Sequence, residues 1–494
     1  MTGQPDPATD RPVAAVVVLA AGEGKRMRSA RSKLLHEIGG HSLLSYALTA
    51  ATMLQPQHVV VVVGHQRDQV EAHLAEVAPH VTVVVQQEQR GTGHAAQVAL
   101  AALPELDGEV VVTYGDVPLL TGDTLAELVA GHRRERAAVT VLTAQVGDPT
   151  GYGRVLRDRT GHVSAIVEDR DADAEQRTIT EINSGIYVFE PQTLTAGLAE
   201  LSPDNAQGEL YLTDVLASAR RAGGTVSGHL TEDVWQTEGV NDRVQLSRLN
   251  AELNRRILER WMRAGVSVVD PASTWVHASV DLAPDVTLLP GTSLEGATSV
   301  AAGAVIGPET TLVDVEVGAN ATVVRTHGSL SVIGADASVG PFAYLRPGTR
   351  LGAGGKIGTF VEAKNARIGA GAKVPHLSYV GDAEIADSAN IGAGVIFANY
   401  DGVTKATTTV GAASFVGSNS VLTAPVTIGD GAYVAAGSTI TSDVGAGELG
   451  VGRGQQRNIR GWVARKRAGT KTARAAEAAT NPAPGAGEKQ GEAL

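Results

Sequence analysis

A repeat with a period of six residues runs through the C-terminal half of the chain. One aliphatic residue recurs at every sixth position, and glycine follows many of these positions. The series are Ile333, Val339, Leu345, Leu351 and Ile357; Ile368, Val374 and Val380; and Val410, Val416, Leu422, Ile428, Val434 and Ile440. Such a period predicts short, flat strands that each bury one aliphatic side chain and turn at a small residue, so that the coils stack into a left-handed parallel β-helix.

One insertion interrupts this repeat. The segment from Phe397 to Val410 is one residue longer than two hexapeptides, and it contains Asn399-Tyr400-Asp401-Gly402. Insertions in repeat folds become loops on one face, which is often the binding face. We therefore expect a surface loop near a binding site here.

The N-terminal part of the chain alternates short Val-rich runs with helical patterns. The runs cover residues 14–21, 58–63, 81–85, 109–114 and 139–144. Short apolar strands separated by helices predict a Rossmann-like α/β domain whose parallel sheet is covered on both faces. Ligands of such sheets bind at the carboxyl ends of the strands.

A chain of 494 residues is too long for one hydrophobic core, so two or more domains are expected. Between the two regions, apolar residues recur at helical spacing at Leu246, Leu249, Leu253, Ile257 and Trp261, which predicts a linking helix that ends at Gly265. The predicted organisation is a flexible N-terminus (1–12), the α/β domain (13–242), the linker helix (243–265), the β-helix (266–457) and a mostly disordered tail (458–494).

Composition excludes several classes of function. The net charge of −12 argues against a nucleic-acid partner, because a phosphate backbone selects basic surfaces. The absence of cysteine excludes disulfides, thiolate metal sites and an acyl-thioester on the enzyme. The first residues lack the pattern of a signal peptide, and no apolar run approaches the roughly 20 residues that span a bilayer. We therefore expect a soluble cytoplasmic protein with no membrane partner.

Phosphate-binding features follow two of the predicted strands. The first strand leads into Gly22-Glu23-Gly24, with Arg26 and Lys33 shortly after, and backbone N–H groups in such a turn can approach a phosphate that the cations neutralise. The turn is neither a dinucleotide-binding fingerprint nor a P-loop, and a plain strand-to-helix turn stays open as an alternative. Asp116 follows another strand, where it is either a turn residue or a ligand for a divalent cation.

Further motifs make a specific resemblance. They are Leu19-Ala20-Ala21-Gly22-Glu23-Gly24-Lys25-Arg26-Met27, Gln86-Gln87-Glu88-Gln89-Arg90-Gly91-Thr92-Gly93, Tyr114-Gly115-Asp116-Val117-Pro118, Gly151-Tyr152-Gly153-Arg154, Glu181-Ile182-Asn183-Ser184-Gly185 and Gly239-Val240-Asn241. These motifs resemble those of sugar-nucleotide pyrophosphorylases. Together with the hexapeptide repeats, residues 13–462 resemble the bacterial bifunctional N-acetylglucosamine-1-phosphate uridylyltransferases/glucosamine-1-phosphate N-acetyltransferases.

The resemblance implies a uridylyl site in the α/β domain. Lys33 and Arg26 would neutralise the triphosphate of UTP, while Asp116 and Asn241 would hold Mg²⁺. The residues implied to bind nucleotide and sugar are Leu19, Ala20, Gly22, Lys33, Gln86, Gln89, Gly91, Thr92, Tyr114, Gly115, Asp116, Gly153, Glu168, Asn183 and Asn241. No protein nucleophile is required, because in-line attack on the α-phosphorus depends on alignment and charge neutralisation.

The resemblance also implies an acetyl-transfer site in the β-helix. His376 would be the general base, and Asn399 would orient it or stabilise the developing oxyanion. Arg346, Lys364, Tyr379, Asn390 and Glu362 would bind the sugar phosphate. The residues implied to contact acetyl-CoA are Ala393, Asn399, Tyr400, Ser418, Ala436, Arg453 and Trp462, although Trp462 could instead cap the end of the β-helix. A homotrimer is implied as well.

The sequence departs from this family at two positions. The family usually has Thr where Lys25 stands and Pro where Ser32 precedes Lys33, and loss of the proline would loosen Lys33, for which Lys25 could partly substitute. Two other functions stay open from the sequence. One is a single-activity sugar-1-phosphate nucleotidyltransferase with a purely structural β-helix, and the other is a regulatory protein that binds sugar nucleotides without turnover.

Overall fold

The computed structural model describes residues 11–480. The chain divides into two compact units, Met1–Asn365 and Ala366–Leu494. The boundary lies within the repeat region rather than at the predicted linker helix, so the functional domain bounds stay predictions. Residues 1–10 and 481–494 of the predicted flexible N-terminus and tail lie outside the described residues. Among the residues described, no helix is both long and apolar enough to span a membrane.

The first unit begins with a mixed sheet. Its N-terminal strands are β1 (Ala15–Ala20), β2 (Glu37–Ile38), β3 (His41–Ser42), β4 (His58–Val63), β5 (Thr82–Val85), β6 (Val110–Tyr114), β7 (Val139–Gln145), β8 (Arg154–Arg157), β9 (Val163–Val167), β10 (Glu181–Phe189) and β11 (Val226–Thr231). The sheet order is β11-β7-β10-β6-β1-β4-β5, with β8 on β10 and β9 on β8, while β2 and β3 form a separate hairpin.

The prediction of a parallel sheet was wrong for two strands, β9 and β10. β1 pairs in parallel with β4 and β6, and β7 with β11, but β10 is antiparallel to both β6 and β7. The reason is the connection. β10 follows the β8–β9 hairpin without a crossover helix, and only a crossover connection returns the chain in the parallel direction.

Helices cover both faces of this sheet, as predicted. They are α1 (Leu43–Met53), α2 (Arg67–Val77), α3 (Thr92–Ala101), α4 (Gly122–Glu135), α5 (Pro191–Ala199) and α6 (Asp214–Arg221). Alternate residues of β1 enter different apolar clusters, with Val16 and Val18 in one and Val17 and Leu19 in the other. Because side chains alternate across a strand, the two clusters lie on opposite faces of the sheet.

The predicted linking helix is α7 (Arg243–Arg263). It begins at Asp242, whose carboxylate accepts hydrogen bonds from Val244 N and Gln245 N at 2.9 and 2.8 Å. Gly265 follows its end with a φ of 98°, the left-handed conformation expected of a C-terminal glycine cap. Both predicted ends of this helix are therefore confirmed.

Coils of a β-helix follow α7 in the first unit. The strands are β12 (Ser267–Val268), β13 (Trp275–Val276), β14 (Asp281–Leu282), β15 (Thr287–Leu288), β16 (Thr292–Glu295), β17 (Ser299–Val300), β18 (Val305–Ile306), β19 (Thr310–Val317), β20 (Thr322–Val323), β21 (Thr326–Ile333), β22 (Ser338–Val339), β23 (Ala343–Leu345), β24 (Arg350–Leu351), β25 (Lys356–Thr359) and β26 (Glu362–Ile368). Thr287 pairs in parallel with Val305 and Ser338 with Lys356, three hexapeptides further on. Three hexapeptides therefore complete one coil.

The second unit continues the same pattern. Its strands are β27 (Lys373–His376), β28 (Tyr379–Ile385), β29 (Asn390–Ile391), β30 (Ile396–Ala398), β31 (Thr408–Val410), β32 (Phe415–Val416), β33 (Val421–Thr423), β34 (Val426–Ile428), β35 (Tyr433–Val434), β36 (Thr439–Ile440) and β37 (Leu449–Gly450). Repeat residues such as Val374, Ile391, Val416 and Ile428 are fully buried, as the six-residue period predicted.

The tail differs from the expectation of disorder over part of its length. α8 (Trp462–Lys466) and α9 (Lys471–Thr480) are helical, although most of their side chains are exposed. Alanine has the highest helix propensity of the residues, and the Ala-rich composition of α9 therefore supports a helix that buries little apolar surface.

Candidate active sites

The first candidate site is a cavity at the carboxyl ends of β1 and β6. Its volume is about 280 Å³. The residues that line it are Leu19, Ala20, Ala21, Gly22, Lys33, Leu34, Gln86, Gln89, Gly91, Thr92, Ala95, Tyr114, Asp116 and Glu209. Gly115 N donates to Leu19 O at 3.0 Å, which joins the two strand ends beneath the cavity. Ten residues of the predicted nucleotide site therefore converge here.

An ion pair lies in the wall of this cavity. Lys33 Nζ is 2.5 Å from Asp116 Oδ2, and the two side chains are 11% and 17% exposed. Low exposure means that bulk water screens the pair weakly, so each charge acts strongly on a ligand at the same place. The arrangement offers an anionic ligand a cation that is already held in position.

The glycine turn shapes the approach of Lys33. Gly24 has a φ of 64°, and a Cβ added to it would lie 2.9 Å from Lys33 Cβ. A side chain there would displace Lys33, so glycine serves both the left-handed backbone and the close approach. At Gly22 a Cβ would meet nothing within 4 Å, which leaves the backbone of the turn open to a ligand.

Several predicted residues lie beside the cavity rather than in its wall. Arg26 is exposed on the 3₁₀ turn Lys25–Met27 and does not belong to the lining residues. Lys25 pairs with Glu23 at 2.7 Å, away from the lining, so it does not substitute for Lys33 in this structure. A Cβ on Gly115 would contact Leu34 at 3.2 Å, which indicates a packing role for this glycine.

The two predicted glutamines fix the loops around the cavity. Gln86 Nε2 donates to Gly91 O at 3.1 Å, and Gln89 Nε2 donates to Ala21 O at 2.6 Å. Gly91 has a φ of 102°, and a Cβ there would lie 2.6 Å from Leu210 O. These contacts hold the strand-end loops in one arrangement, which favours a preformed pocket.

A second cavity, of about 230 Å³, shares Thr92, Tyr114 and Glu209 with the first. The predicted sugar-binding residues Gly153, Glu168 and Asn183 line it. Asn183 Oδ1 accepts hydrogen bonds from Gly185 N and from the Tyr187 hydroxyl, each at 2.9 Å. Because its oxygen is satisfied in this way, the amide NH₂ of Asn183 is the group left to donate to a ligand.

Burial changes the acid–base properties of this second cavity. Burial, followed by the negative charges of Asp171 and Asp214, raises the pKa of the Glu168 carboxyl above its usual range. Burial also raises the pKa of the Tyr114 phenol. Tyr114 therefore stays a neutral hydrogen-bonding group between the two cavities.

Sequence reasoning missed part of this cavity. Tyr152, Gln207, Glu209, Tyr211 and Thr213 also line it. Tyr152 belongs to a recognised motif and could have been included. The other four belong to the segment between α5 and α6, which two backbone bonds, from Leu210 N to Arg90 O and from Gly93 N to Leu210 O, attach to the first cavity at 2.8 Å each. Such a long-range attachment leaves no local signal in the sequence.

Three predicted acetyl-site residues lie on coils of the first unit. Arg346 Nη1 donates to Glu362 Oε1 at 2.8 Å. Glu362 and Lys364 are half-buried on the outer face of β26, while Ala363 between them is buried inside. The structure thus groups two cations and one carboxylate on neighbouring strands, an arrangement that can bind a phosphate with adjacent hydroxyl groups.

In the second unit, His376 and three predicted acetyl-CoA residues occupy equivalent corners of successive coils. His376 O accepts from Gly394 N at 3.1 Å, Ala393 O from Asn419 N at 2.8 Å, and Ser418 O from Gly437 N at 2.8 Å. Arg453 Nη1 then donates to Ala436 O at 2.7 Å. We call the row His376, Ala393, Ser418, Ala436 and Arg453 the corner column.

Asn399 is held by a group that the sequence did not single out. It is 7% exposed, and its Nδ2 donates to Asp382 Oδ2. A Cβ on Gly381 would lie 2.4 Å from the Tyr379 hydroxyl and 2.8 Å from Asn399 Nδ2, so the glycine lets these two side chains converge. The Gly-Asp dipeptide is the sequence feature that could have drawn attention to Gly381 and Asp382.

The insertion forms a surface loop, as predicted. Tyr400 is 58% exposed and donates from its hydroxyl to Gly402 O at 2.6 Å. Hydrogen bonds from Thr404 N and Val403 N lower the pKa of Asp401 to about 2 and close the turn.

In the tail, Trp462 is 43% exposed, with the Arg467 guanidinium 5.2 Å from its ring centroid.

Comparison with known families and proteins gives a consistent result. The family described as "MobA-like NTP transferase domain" matches residues 16–181, and "Bacterial transferase hexapeptide (six repeats)" matches residues 407–442. The "Bifunctional protein GlmU" of Kineococcus radiotolerans is 58% identical over 473 residues, which cover 96% of both chains. The protein of the same name from Pseudarthrobacter chlorophenolicus is 58% identical over 471 residues, 95% of this chain and 96% of that one.

The chain belongs to the GlmU family of bifunctional proteins. The resemblance read from the motifs and the predicted fold class are therefore confirmed. A solved structure of the inositol-1-phosphate CTP transferase from T. maritima aligns with 44% of this chain and 86% of that chain at 19% identity, with a TM-score of 0.36. That similarity is too low to bear on the function.

A nucleotidyltransferase domain of the GlmU family fits a divalent metal in general terms. The groups that could bind one here lie around Asp116. Within residues 11–480, no group of three or more His, Cys, Asp and Glu side chains could hold a metal ion. Asp116 supplies one carboxylate, and Val240 N donates to Asp116 O at 2.9 Å, which brings Asn241 to the same edge of the sheet. One carboxylate and one amide fit a metal that takes its other ligands from phosphates and water.

Proposed function

We propose that the protein makes UDP-N-acetylglucosamine in two steps. Acetyl transfer from acetyl-CoA to glucosamine-1-phosphate comes first, and uridylyl transfer from UTP to N-acetylglucosamine-1-phosphate, with release of pyrophosphate, comes second. The observation that carries this proposal is the convergence of one predicted residue set around the Lys33–Asp116 pair and of another along the corner column. Family membership supports the pairing of the two activities.

In the uridylyl step, the contiguous cavities align the two substrates. The backbone of Leu19, Ala20 and Gly22, with Gln86, Gln89, Gly91 and Thr92, binds uridine in the first cavity. Gly153, Glu168 and Asn183 bind the sugar in the second. An oxygen of the sugar phosphate attacks the α-phosphorus of UTP, the bond to the β-phosphate bridging oxygen breaks, and pyrophosphate leaves with that electron pair.

Lys33 neutralises charge on the triphosphate as this bond breaks, with Arg26 adding positive charge from the exposed side of the turn. Asp116 and Asn241 would hold Mg²⁺, which when bound neutralises phosphate oxygens and orients them. In the free protein, Lys33 Nζ at 2.5 Å from Asp116 keeps the carboxylate aimed at the cavity. Alignment and charge therefore supply the catalysis, and no covalent intermediate is needed.

In the acetyl step, the exposed ring of His376 accepts a proton from the 2-amino group of the sugar as its nitrogen attacks the thioester carbonyl carbon. The carbon–sulfur bond then breaks, and the coenzyme A thiolate takes the proton. Arg346 and Lys364 bind the sugar phosphate, and Glu362, Tyr379 and Asn390 position the sugar. Asn399, which donates to Asp382 through Nδ2, orients His376 or the substrate amine through its oxygen.

Acetyl-CoA follows the corner column in this proposal. Ala393, Ser418 and Ala436 offer small side chains along one edge, with Ala393 half-buried and the other two exposed, and a pantetheine chain has room to lie there. Arg453 offers positive charge to a coenzyme phosphate, and Tyr400 and Trp462 offer exposed aromatic surface. Transfer is direct, because the chain has no cysteine to carry the acetyl group.

We further propose a homotrimer, since exposed residues at one edge of a hexapeptide-repeat fold suit contact with neighbouring copies. A cytoplasmic location follows from the need for UTP and acetyl-CoA. The whole proposal is tested by product analysis with glucosamine-1-phosphate, acetyl-CoA, UTP and Mg²⁺, omitting one component at a time. UDP-N-acetylglucosamine is expected only when all four are present, and its formation without acetyl-CoA would contradict the proposal.

A further inference from the structure

One helical side chain holds the loop that leads to Lys33. Gln69, in the first turn of α2, accepts a hydrogen bond from Ser32 N through Oε1 at 3.0 Å and donates one from Nε2 to Ala30 O at 3.0 Å. Gln66 Nε2 donates to the same carbonyl at 3.2 Å. The amide of Gln69 therefore binds the backbone on both sides of Arg31.

The backbone N–H group that donates to Gln69 belongs to a buried residue, Ser32. Ser32 is 5% exposed, so its N–H group has little access to solvent and needs a protein partner. The φ of Ser32 is −54° and its ψ is 140°. A proline ring enforces a similar φ but has no N–H group. At this position a hydrogen bond to Gln69 thus restrains a conformation that a proline would restrain covalently.

The bond between Gln69 and Ser32 bears on Lys33, the next residue, whose side chain lies in the wall of the first cavity. Ser32 O accepts from Leu35 N at 3.1 Å and starts the 3₁₀ turn Lys33–Leu35, while Leu34 and Leu35 are buried behind it. Lys33 is therefore fixed on its C-terminal side by packing and on its N-terminal side by the Ser32–Gln69 bond. Its Nζ then reaches Asp116 Oδ2 at 2.5 Å.

We propose that Gln69 is a positioning residue for Lys33 in uridylyl transfer. It fixes the backbone of Ser32, and through it the direction from which Lys33 reaches the triphosphate. This inference rests on the proposed role of Lys33 in neutralising that triphosphate. Gln69 itself is not among the residues that line either cavity.

The first test replaces Gln69 with residues that keep or lose the bond to Ser32. Gln69→Leu leaves the buried N–H group of Ser32 without a partner, and we expect kcat of uridylyl transfer to fall about fivefold while KM for UTP changes less than about twofold. Gln69→Glu keeps an oxygen acceptor for Ser32 N and loses the donor to Ala30 O, which Gln66 still binds, so its kcat is expected within about twofold of wild type. Equal kcat values for the two variants would overturn the proposal.

The second test is rescue by proline. Ser32→Pro sets the same φ without an N–H group, so adding Gln69→Leu to Ser32→Pro is expected to change kcat less than about twofold. A general structural role of Gln69 in α2 would instead give the same fivefold loss in both backgrounds. Ser32→Ala, which keeps the N–H group, is the matched control and is expected to behave as wild type.

Further measurements distinguish a loss of folding, a wrong role for Lys33 and a wrong role for Gln69. Acetyl transfer and the thermal unfolding midpoint, measured on each variant, report whether a loss comes from misfolding. Lys33→Ala tests the proposed function itself, because full uridylyl transfer in that variant would remove the role on which this inference rests. If Lys33→Ala is inactive while Gln69→Leu equals wild type, the role of Lys33 stands and the role of Gln69 is overturned.

Discussion

At the scale of single residues, the proposed uridylyl site depends on charges that are held before any ligand arrives. Lys33 and Asp116 are far apart in sequence, yet their charged atoms are 2.5 Å apart in the wall of one cavity. Preorganised charge stabilises a transition state without reorganisation at the moment of reaction. The proposed acetyl site differs, because the His376 side chain is exposed and only the backbone of this residue is fixed. Its carbonyl oxygen accepts hydrogen bonds from Ser378 and Gly394.

Replacing Asp116 tests the proposed metal ligand. Asp116→Ala removes the single carboxylate of the site and the partner of Lys33, so uridylyl transfer is expected to fall at least 100-fold. Acetyl transfer is expected to stay within about twofold of wild type, because its residues lie elsewhere. Separate assays of the two half-reactions check this, and loss of both activities in a folded variant would contradict two independent sites.

Replacing His376 tests the proposed general base. His376→Ala is expected to lower acetyl transfer by roughly 10²- to 10⁴-fold, since proton transfer by a positioned base contributes that much. Uridylyl transfer serves as the internal control and is expected to be unchanged. A variant with full acetyl transfer would show that another group accepts the proton.

The shifted pKa of Glu168 predicts a pH dependence of sugar binding. Because burial raises this pKa, the carboxyl takes up its proton at a higher pH than an ordinary glutamate and loses its charge sooner as the pH falls. The KM for N-acetylglucosamine-1-phosphate is therefore expected to rise as the pH falls, and to do so at a higher pH than the titration of an ordinary glutamate would give. Glu168→Gln is expected to raise KM about tenfold and to remove this rise apart from titration of the substrate, so the ratio of the two KM profiles isolates Glu168.

At the scale of elements, α7 is attached to the first β-helix coil by one buried amide. Asn254 Nδ2 donates to Thr274 O at 2.8 Å, and Asn254 Oδ1 accepts from Val276 N at 3.0 Å. Asn254 is 7% exposed, so both backbone groups depend on it. Amphipathic spacing predicted the helix, but it did not mark this polar residue, which lies on the buried side.

Removing that amide tests its contribution to stability. Asn254→Ala leaves two buried backbone groups without a partner, and we expect it to lower the free energy of unfolding by about 2–4 kcal/mol. Denaturant unfolding of the full chain measures this. Ser247→Ala, at an exposed position of the same helix, is the matched control and is expected to change stability by less than about 0.5 kcal/mol. Equal stabilities of the two variants would contradict the role of Asn254.

At the scale of the whole molecule, the residues proposed for the two chemistries lie far apart along the chain, and the end of the β-helix is proposed to serve acetyl transfer. Thr439 N donates to Gly452 O at 3.0 Å, and Arg453 reaches Ala436 O at 2.7 Å, so the end of the β-helix carries the last member of the corner column. Among residues 467–480, the helix α9 buries only Ala473.

Two truncations test this division. A chain ending at Lys466 keeps the corner column and is expected to retain both activities. A chain ending at Val451 loses Arg453 and Trp462, and it is expected to lose acetyl transfer while uridylyl transfer is spared. Half-reaction assays check both, and full acetyl transfer in the shorter chain would refute any role for Arg453 and Trp462.

Elements whose pattern is local were predictable from the amino-acid sequence. A six-residue period specifies β-helix coils because each hexapeptide carries its own buried aliphatic residue and its own turn. Amphipathic spacing from Arg243 onward and the glycine cap Gly265 likewise specify α7. Motif residues such as Gly22, Asp116 and His376 were singled out through the family resemblance, and their roles stay predictions.

The contacts between distant segments could be seen only in the three-dimensional fold. The antiparallel direction of β10, the attachment of Leu210 beside Arg90, the bond from Asn399 to Asp382 and the bond from Ser32 to Gln69 join residues whose local patterns say nothing about each other. Packing and the need of buried polar groups for a hydrogen bond select the direction of a strand and the partner of a side chain. These two requirements are met by residues that are close in the fold and distant along the chain, which is the physical reason.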